Sequence, residues 1–246
     1  MVSFFYLLIL PFSYLFVMKE VIGKLERSST PLESIVNYDM FIKASEKAFD
    51  CKYDGVSKYY PWVKPKFLPE DFNIGVIYGA SGSGKSTLLK SFGDKTVIDW
   101  DIDKAIISHF DSPDDGINKL SAVGLNTVPS WYKPYHVLSN GEKFRADLSR
   151  SIKNNAVIDE FTSVVDRNVA KAASVALSKY IKSNDIKNVV LVTCHEDVLD
   201  WLEPDWVINT NSGEVFDGNF IKDQTSISKY IVQGIVSGQC LKTITI

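Results

Sequence analysis

Short apolar runs separated by polar turns recur through the middle of the chain. "NIGVIY" (73–78), "KTVIDWDI" (95–102), "NAVID" (155–159), "NVVLVTC" (188–194) and "DWVIN" (205–209) each read as a strand, the last as the final one. Apolar residues return at helical spacing between them, at about 141–153 and 166–182. Strands alternating with helices predict an α/β fold with a mostly parallel sheet covered on both faces. Residues 19–50 read as partly helical, with "SSTPLES" offering caps and Pro31 at an early helical position. "YDGVSKYYPWVKPKFLPEDF" (53–72) predicts irregular or edge structure, because prolines interrupt it. The tail after Phe220 fits helix and strand equally.

The amino terminus departs from this pattern. "MVSFFYLLILPFSYLFVM" holds no charge before Lys19 and approaches the length of a membrane span, about 20 apolar residues. It lacks the positive stretch that opens a signal peptide, and Pro11 weakens it as a helix. Met18 opens "MKEVIGKLERSS", which reads as an ordinary soluble start, so a mis-assigned translation start competes with an anchor. The pattern divides the chain into an apolar leader (1–18), an amino-terminal extension (19–65), a main domain (66–220) and a tail (221–246). The expected location is cytoplasmic, or membrane-associated if the leader is real.

Composition changes little. With 246 residues, 45% hydrophobic and 23% charged, the chain can bury one sizeable core. A net charge of −3 without like-charged runs gives no global sign of nucleic acid. Cys51, Cys194 and Cys240 are odd in number and far apart, which suits a reducing compartment and argues against a disulfide framework or a zinc site.

The candidate chemistry is concentrated. In "GASGSGKST" (Gly79, Ala80, Ser81, Gly82, Ser83, Gly84, Lys85, Ser86, Thr87) small residues let backbone N–H groups wrap a phosphate. Lys85 would reach the β- and γ-phosphates, and the Ser86 hydroxyl would ligate Mg2+. "AVIDEF" (156–161) places Asp159 and Glu160 at the carboxyl end of a strand, where α/β sheets present ligands. Asp159 would hold Mg2+ and Glu160 would polarise the attacking water. Farther on, Ser139 and Glu142 in "LSNGE" form a capping box around Gly141. This second anion-ready helix start has no second γ-phosphate in its own chain to bind, which points to the nucleotide of another copy.

"LSNGE" resembles the LSGGQ signature of the ABC-class ATPases, with Asn140 and Glu142 as the departures. The order of the other motifs is similar as well. Asp166 in "SVVD" stands where the class has its D-loop, and His195 in "TCHED" where it has its switch histidine. "PSWYKPYHVLSNGEKFRADLSR", "DEFTSVVDR" and "CHEDVLDWLEPDWV" look like soluble ABC-type ATPases often fused to a predicted N-acetyltransferase domain, over about 20–220. Some 26 residues follow Phe220, too few for that domain.

The resemblance implies ATP and Mg2+ as ligands, hydrolysis to ADP and phosphate, and an ATP-sandwich homodimer. Phe161 replaces the proline usual in transporters after the catalytic pair. Only about fifty residues separate the phosphate loop from "LSNGE", which implies a reduced helical subdomain. No glutamine precedes Gln224, so the residue that senses Mg2+ and couples to membrane domains is missing from its interval. That argues against a transporter membrane subunit and leaves DNA or a protein as a further partner. The competing readings are a transporter's ATP-binding subunit and a DNA-associated repair-type ATPase. A small-molecule kinase would leave "LSNGE" and His195 unexplained.

Two weaker features remain. Asp99, Asp101 and Asp103 alternate, as a polar strand end or a cation site would. Tyr59, Tyr60 and Trp62 precede the loop, where the resemblance implies an aromatic against adenine, with Tyr60 the favoured one, although any of them can equally pack in the core.

Overall fold

A computed structural model describes residues 21–218. The leader (1–18) and the tail beyond Phe220 lie outside the described residues. The central sheet has six strands, β1 (Val21–Lys24), β4 (Ile74–Tyr78), β5 (Val157–Ile158), β6 (Val189–Thr193), β7 (Trp206–Asn209) and β8 (Glu214–Asp217). Their spatial order is β1-β8-β7-β4-β6-β5. The strands β7, β4, β6 and β5 run parallel, while β8 and β1 are antiparallel additions at one edge. An α/β architecture with a mostly parallel sheet is therefore present.

Alternation along β4 sends side chains to two cores. Ile74, Val76 and Tyr78 pack on one face with Leu177 and Ile181, which belong to α6 (Arg167–Ser183). Ile77 packs on the other face with Trp206, Ile208 and Leu88 of α2 (Lys85–Leu89). Strands buried on both faces read as continuous apolar runs, and this explains why "NIGVIY" and "NVVLVTC" are legible.

Between α2 and β5 lie α3 (Pro113–Ala122), α4 (Val128–Trp131) and α5 (Asn140–Ser151). Their starts follow local chemistry. Ser112 caps α3 with Pro113 at its first position, and Ser139 caps α5. The short α7 (Val198–Leu202) packs against α6.

Three sequence expectations are corrected. "KTVIDWDI" forms no strand, and residues 93–100 are irregular. "SSTPLES" is not a helix start, because its second half is β2 (Leu32–Ile35), paired with β3 (Val56–Tyr59) in a separate hairpin. The helix there, α1 (Met40–Phe49), begins instead at Asp39, whose carboxylate accepts from the N–H groups of Phe41 and Ile42. Nor does "DWVIN" end the sheet, since β8 follows it and pairs with it.

Candidate functional site

β4 delivers the phosphate loop to the carboxyl end of the parallel strands, and α2 leaves from it. Gly84 sits at φ +95°, and a Cβ there would lie 1.9 Å from the Tyr59 hydroxyl oxygen. Only glycine fits that position without displacing the tyrosine. The loop is braced from outside. Ser83 Oγ and Thr210 Oγ1 are 2.6 Å apart, and Ala80 N–H donates to Asn211 Oδ1 at 2.9 Å. Trp62 Nε1 donates to the Ser83 carbonyl at 3.0 Å, while the Arg27 guanidinium lies 3.4 Å from the Trp62 ring centre. Lys85 Nζ donates to the Gly79 and Ala80 carbonyls at 2.9 and 2.7 Å, which holds the ammonium against the loop.

β5 ends beside this loop. Asp159 Oδ1 accepts from Ser86 Oγ at 3.2 Å and from the Glu160 N–H at 3.0 Å. The next residue turns the chain sharply, with Glu160 at φ +54° and Thr162 at φ +65°. Phe161, fully buried, locks the turn by donating its N–H to the Val192 carbonyl at 2.7 Å. A positive φ outside glycine is uncommon and costs backbone energy, which the buried Phe161 offsets. Glu160 is left exposed on a cavity of about 490 Å³, lined by the loop together with Tyr59, Asp159 and Cys194. A hydroxyl and a carboxylate facing each other from two elements make a hard-oxygen pair of the kind Mg2+ takes.

Other candidates fall outside that cavity. His195 lies one residue past its wall, and its N–H donates to Thr193 Oγ1 at 3.1 Å. Asp166 caps α6, accepting from the N–H groups of Asn168 and Val169 at 2.9 and 3.1 Å. Ser139, Gly141 and Glu142 stand at the start of α5 and do not line it. There Glu142 Oε2 accepts from Ser139 N–H at 2.9 Å and from Ser139 Oγ at 2.8 Å, and Oε1 accepts from Ser130 Oγ. The Ser130 bond, then the Ser139 N–H, hold its carboxyl down at about 2. Arg145 ties this helix start to its surroundings, donating to the carbonyls of Gly141 and Gly124 at 3.0 Å each.

Two lesser expectations are corrected. Asp101 pairs with Lys104 at 3.2 Å and accepts from the Asp103 N–H, in a turn rather than a strand. The alternation of Asp99, Asp101 and Asp103 therefore does not gather them on one strand face. Tyr60 is 46% exposed and does not line the cavity, whereas Tyr59 does. The Tyr59 hydroxyl is buried without a hydrogen-bond partner. Sequence reasoning missed Thr210 and Asn211 as braces. Their only signal was the polar "NTNS" directly after a buried strand.

No protein-family profile matches the chain, and no curated protein matches it. Several solved structures are partly similar to it. The dimeric post-hydrolysis ATP-binding cassette MJ0796, bound to ADP and Pi, has a TM-score of 0.47 and 16% identity, covering 79% of this chain and 94% of that one. The dimeric MJ0796, a bacterial ABC transporter cassette, has a TM-score of 0.48 and 16% identity, covering 75% and 93%. A chain of the complex of archaeal ribosomal stalk protein aP1 with ribosome recycling factor aABCE1 has a TM-score of 0.44 and 19% identity, covering 58% of this chain and 37% of that one.

Proposed function

We propose that this chain binds and hydrolyses ATP as an ABC-class ATPase, working as an ATP-sandwich pair of identical copies. One observation carries the reading. The phosphate loop and the Asp159–Glu160 turn share a single cavity, with Ser86 and Asp159 3.2 Å apart. A glycine-rich turn alone would not bring a carboxylate pair to that place.

In this reading the loop's N–H groups take the phosphate oxygens, and Lys85 exchanges its two loop carbonyls for β- and γ-phosphate oxygens. Ser86 and Asp159 would hold Mg2+, which when bound neutralises phosphate charge. Glu160 orients a water and takes its proton as the oxygen attacks the γ-phosphorus. The bond from that phosphorus to the β–γ bridging oxygen breaks, releasing ADP and inorganic phosphate. Tyr59 closes the cavity over Gly84 and bears on the nucleotide from that side.

The start of α5 faces the nucleotide of the second copy. Ser139 caps a helix of 12 residues that has Gly141 in its first turn, so the N–H groups of Asn140 and Gly141 and the positive helix end suit an incoming phosphate. His195 and Asp166 take their roles from the resemblance, at the γ-phosphate and the partner copy respectively. The absence of glutamine before Gln224 supports a protein without a membrane subunit. Among the described residues no helix is long and apolar enough to cross a membrane.

The test is size-exclusion chromatography with a parallel phosphate-release assay. The wild type should release phosphate from Mg-ATP. Glu160→Gln should bind ATP, release none, and elute as a dimer only with Mg-ATP. A Glu160→Gln protein that binds ATP and remains monomeric at micromolar concentration overturns the paired-copy reading.

A further inference from the structure

Two neighbouring strand ends launch the loops that carry the proposed chemistry. β5 leads through the Glu160 turn to Asp166 and α6, and β6 leads through Cys194 and His195 to α7. The strands are paired, with Ile158 opposite Leu191, and the loops are joined at their base by the bond from Phe161 N–H to the Val192 carbonyl. A second tie lies farther out, between Arg167 and Asp197.

Arg167 is the first residue of α6, and Asp197 is the N-cap of α7. Arg167 Nε donates to Asp197 Oδ2 at 3.0 Å and Nη2 donates to Oδ1, a two-pronged pairing of guanidinium and carboxylate. The guanidinium carbon also lies 5.1 Å from the centre of the Trp201 ring, which belongs to α7.

This arrangement breaks three local rules at once. An aspartate at an N-cap ordinarily accepts from the first N–H groups of its own helix, as Asp166 does for α6. Asp197 makes no such bond. A cation at the first position of a helix faces the positive end of the helix dipole, yet Arg167 stands there. Arg167 Nη1 is also buried without an acceptor, a cost that the face of Trp201 offsets only in part. Local preferences overridden together at one point mark a place where another requirement prevails.

Stability is not that requirement. The two side chains are 40% and 49% exposed, and ion pairs so open to water contribute little to folding. What the pair fixes is position. Among the described residues the His195 imidazole makes no hydrogen bond, so the ring stands where its backbone puts it. That backbone is held on one side by the bond from His195 N–H to Thr193 Oγ1, and on the other by Asp197, two residues on. The Arg167 bonds hold the Asp197 carboxyl below its ordinary value, and the nearby His195 ring adds a smaller lowering.

We propose that Arg167 and Asp197 form a clamp that positions His195 for the γ-phosphate step, by tying the start of α7 to the start of α6. This rests on the ATP reading above. His195 follows Cys194 of the cavity wall, and Asp166 precedes Arg167, so one ion pair sets the histidine and the partner-facing aspartate in a single frame. With the clamp open, nucleotide still meets an intact phosphate loop, and only the placement of the imidazole is lost.

Phosphate release and equilibrium binding of a fluorescent ATP analogue, both on the full chain, test the clamp. Arg167→Gln and Asp197→Asn should fold, and each should lower kcat about tenfold or more with nucleotide affinity within about twofold of wild type, a loss confined to the transition state. The double variant should be no slower than the slower single, because either change breaks the same bond. Affinity falling in step with turnover, or a double variant as slow as the product of the singles, overturns the clamp. A wild type that binds no nucleotide or releases no phosphate removes the ATP reading, and the clamp falls with it.

Nuclear magnetic resonance gives a readout independent of turnover. The chain has three histidines, His109, His136 and His195, so selective labelling yields three imidazole signals. The His195 signal is the one that His195→Asn removes. In nucleotide-free Arg167→Gln it should shift or broaden, with the signals of His109 and His136 unchanged. An unmoved His195 signal overturns the clamp. Movement of all three shows a general loss of structure and overturns it as well.

Discussion

The chain contains two serine–glycine turns that open helices, and they are built on opposite plans. In the phosphate loop the backbone dictates the residues. Gly84 holds φ +95° under the Tyr59 hydroxyl, and the loop is braced by Thr210, Asn211 and Trp62 from elsewhere in the chain. At the start of α5 the side chains do the work locally. Ser139 and Glu142 satisfy each other's N–H groups and leave those of Asn140 and Gly141 open, and a Cβ on Gly141 would meet nothing nearer than Val165 Cγ1 at 3.9 Å. Under the proposed reading, a turn shaped by long-range packing around an open cavity serves a ligand within its own subunit. A turn that satisfies itself, leaving its glycine open, has room for a ligand brought from outside.

The sharpest way to break this comparison is to disable each turn's chemistry separately. Glu160→Gln removes the group proposed to activate water beside the first turn, and should lower turnover by at least about 100-fold with ATP binding intact. Ser139→Arg puts a long cationic side chain at the second. It should abolish ATP-dependent dimerisation and reduce turnover to background, while the isolated subunit still binds nucleotide. Equilibrium binding of a fluorescent ATP analogue, set beside phosphate release, separates the two. If Ser139→Arg turns over normally, the start of α5 is a capped helix and nothing more.

A milder pair exchanges only the glycines. Gly84→Ala faces both a positive φ and a Cβ 1.9 Å from the Tyr59 oxygen. Nucleotide affinity should fall about tenfold or more, equivalent to roughly 1.4 kcal/mol. Gly141→Ala makes only an ordinary contact with Val165 inside a helix, where alanine is favoured over glycine by about 0.5–1 kcal/mol. Its melting temperature should hold or rise. Under the paired-copy reading its turnover falls even so, because the new methyl faces an incoming phosphate. Unchanged turnover in Gly141→Ala would detach that glycine from function.

The same contrast explains what the sequence disclosed. The phosphate loop was legible because φ restrictions and phosphate geometry leave few residue choices, and they show as glycines at fixed spacing. The capping box was legible because it spans only four residues. β4, β6 and β7 announced themselves as continuous apolar runs, since both their faces are buried. What stayed hidden depends on distant partners. "KTVIDWDI" has the composition of a strand, yet strand formation requires a neighbour, and none is paired with it. β1 and β8 pair with each other across nearly the whole described chain, and nothing local marks either as a member of the sheet. Tyr59 and Tyr60 look alike in the sequence, and that β3 ends at Tyr59 is set by its pairing with β2, which nothing local discloses.

The smallest expected effect tests the self-sufficiency of the second turn. The Glu142 carboxyl is held at about 2, against an ordinary value of 4.5, by hydrogen bonds from Ser130 and Ser139. A carboxyl depressed in the folded state adds stability that is complete above its unfolded value. That stability is lost as pH falls from about 4.5 toward 2. Glu142→Gln keeps the shape and removes the charge, so it should cost about 1 kcal/mol at pH 7, in line with the loss of a cap. The difference between wild type and variant should stay level down to about pH 5 and then shrink steadily with further acidification. Denaturant unfolding of both proteins at several pH values between 7 and 3 measures it. Should the gap persist unchanged at pH 3, the carboxylate charge is not what holds the start of α5. The bond from buried Ser130 would then be its principal tether, and the turn would depend on packing much as the phosphate loop does.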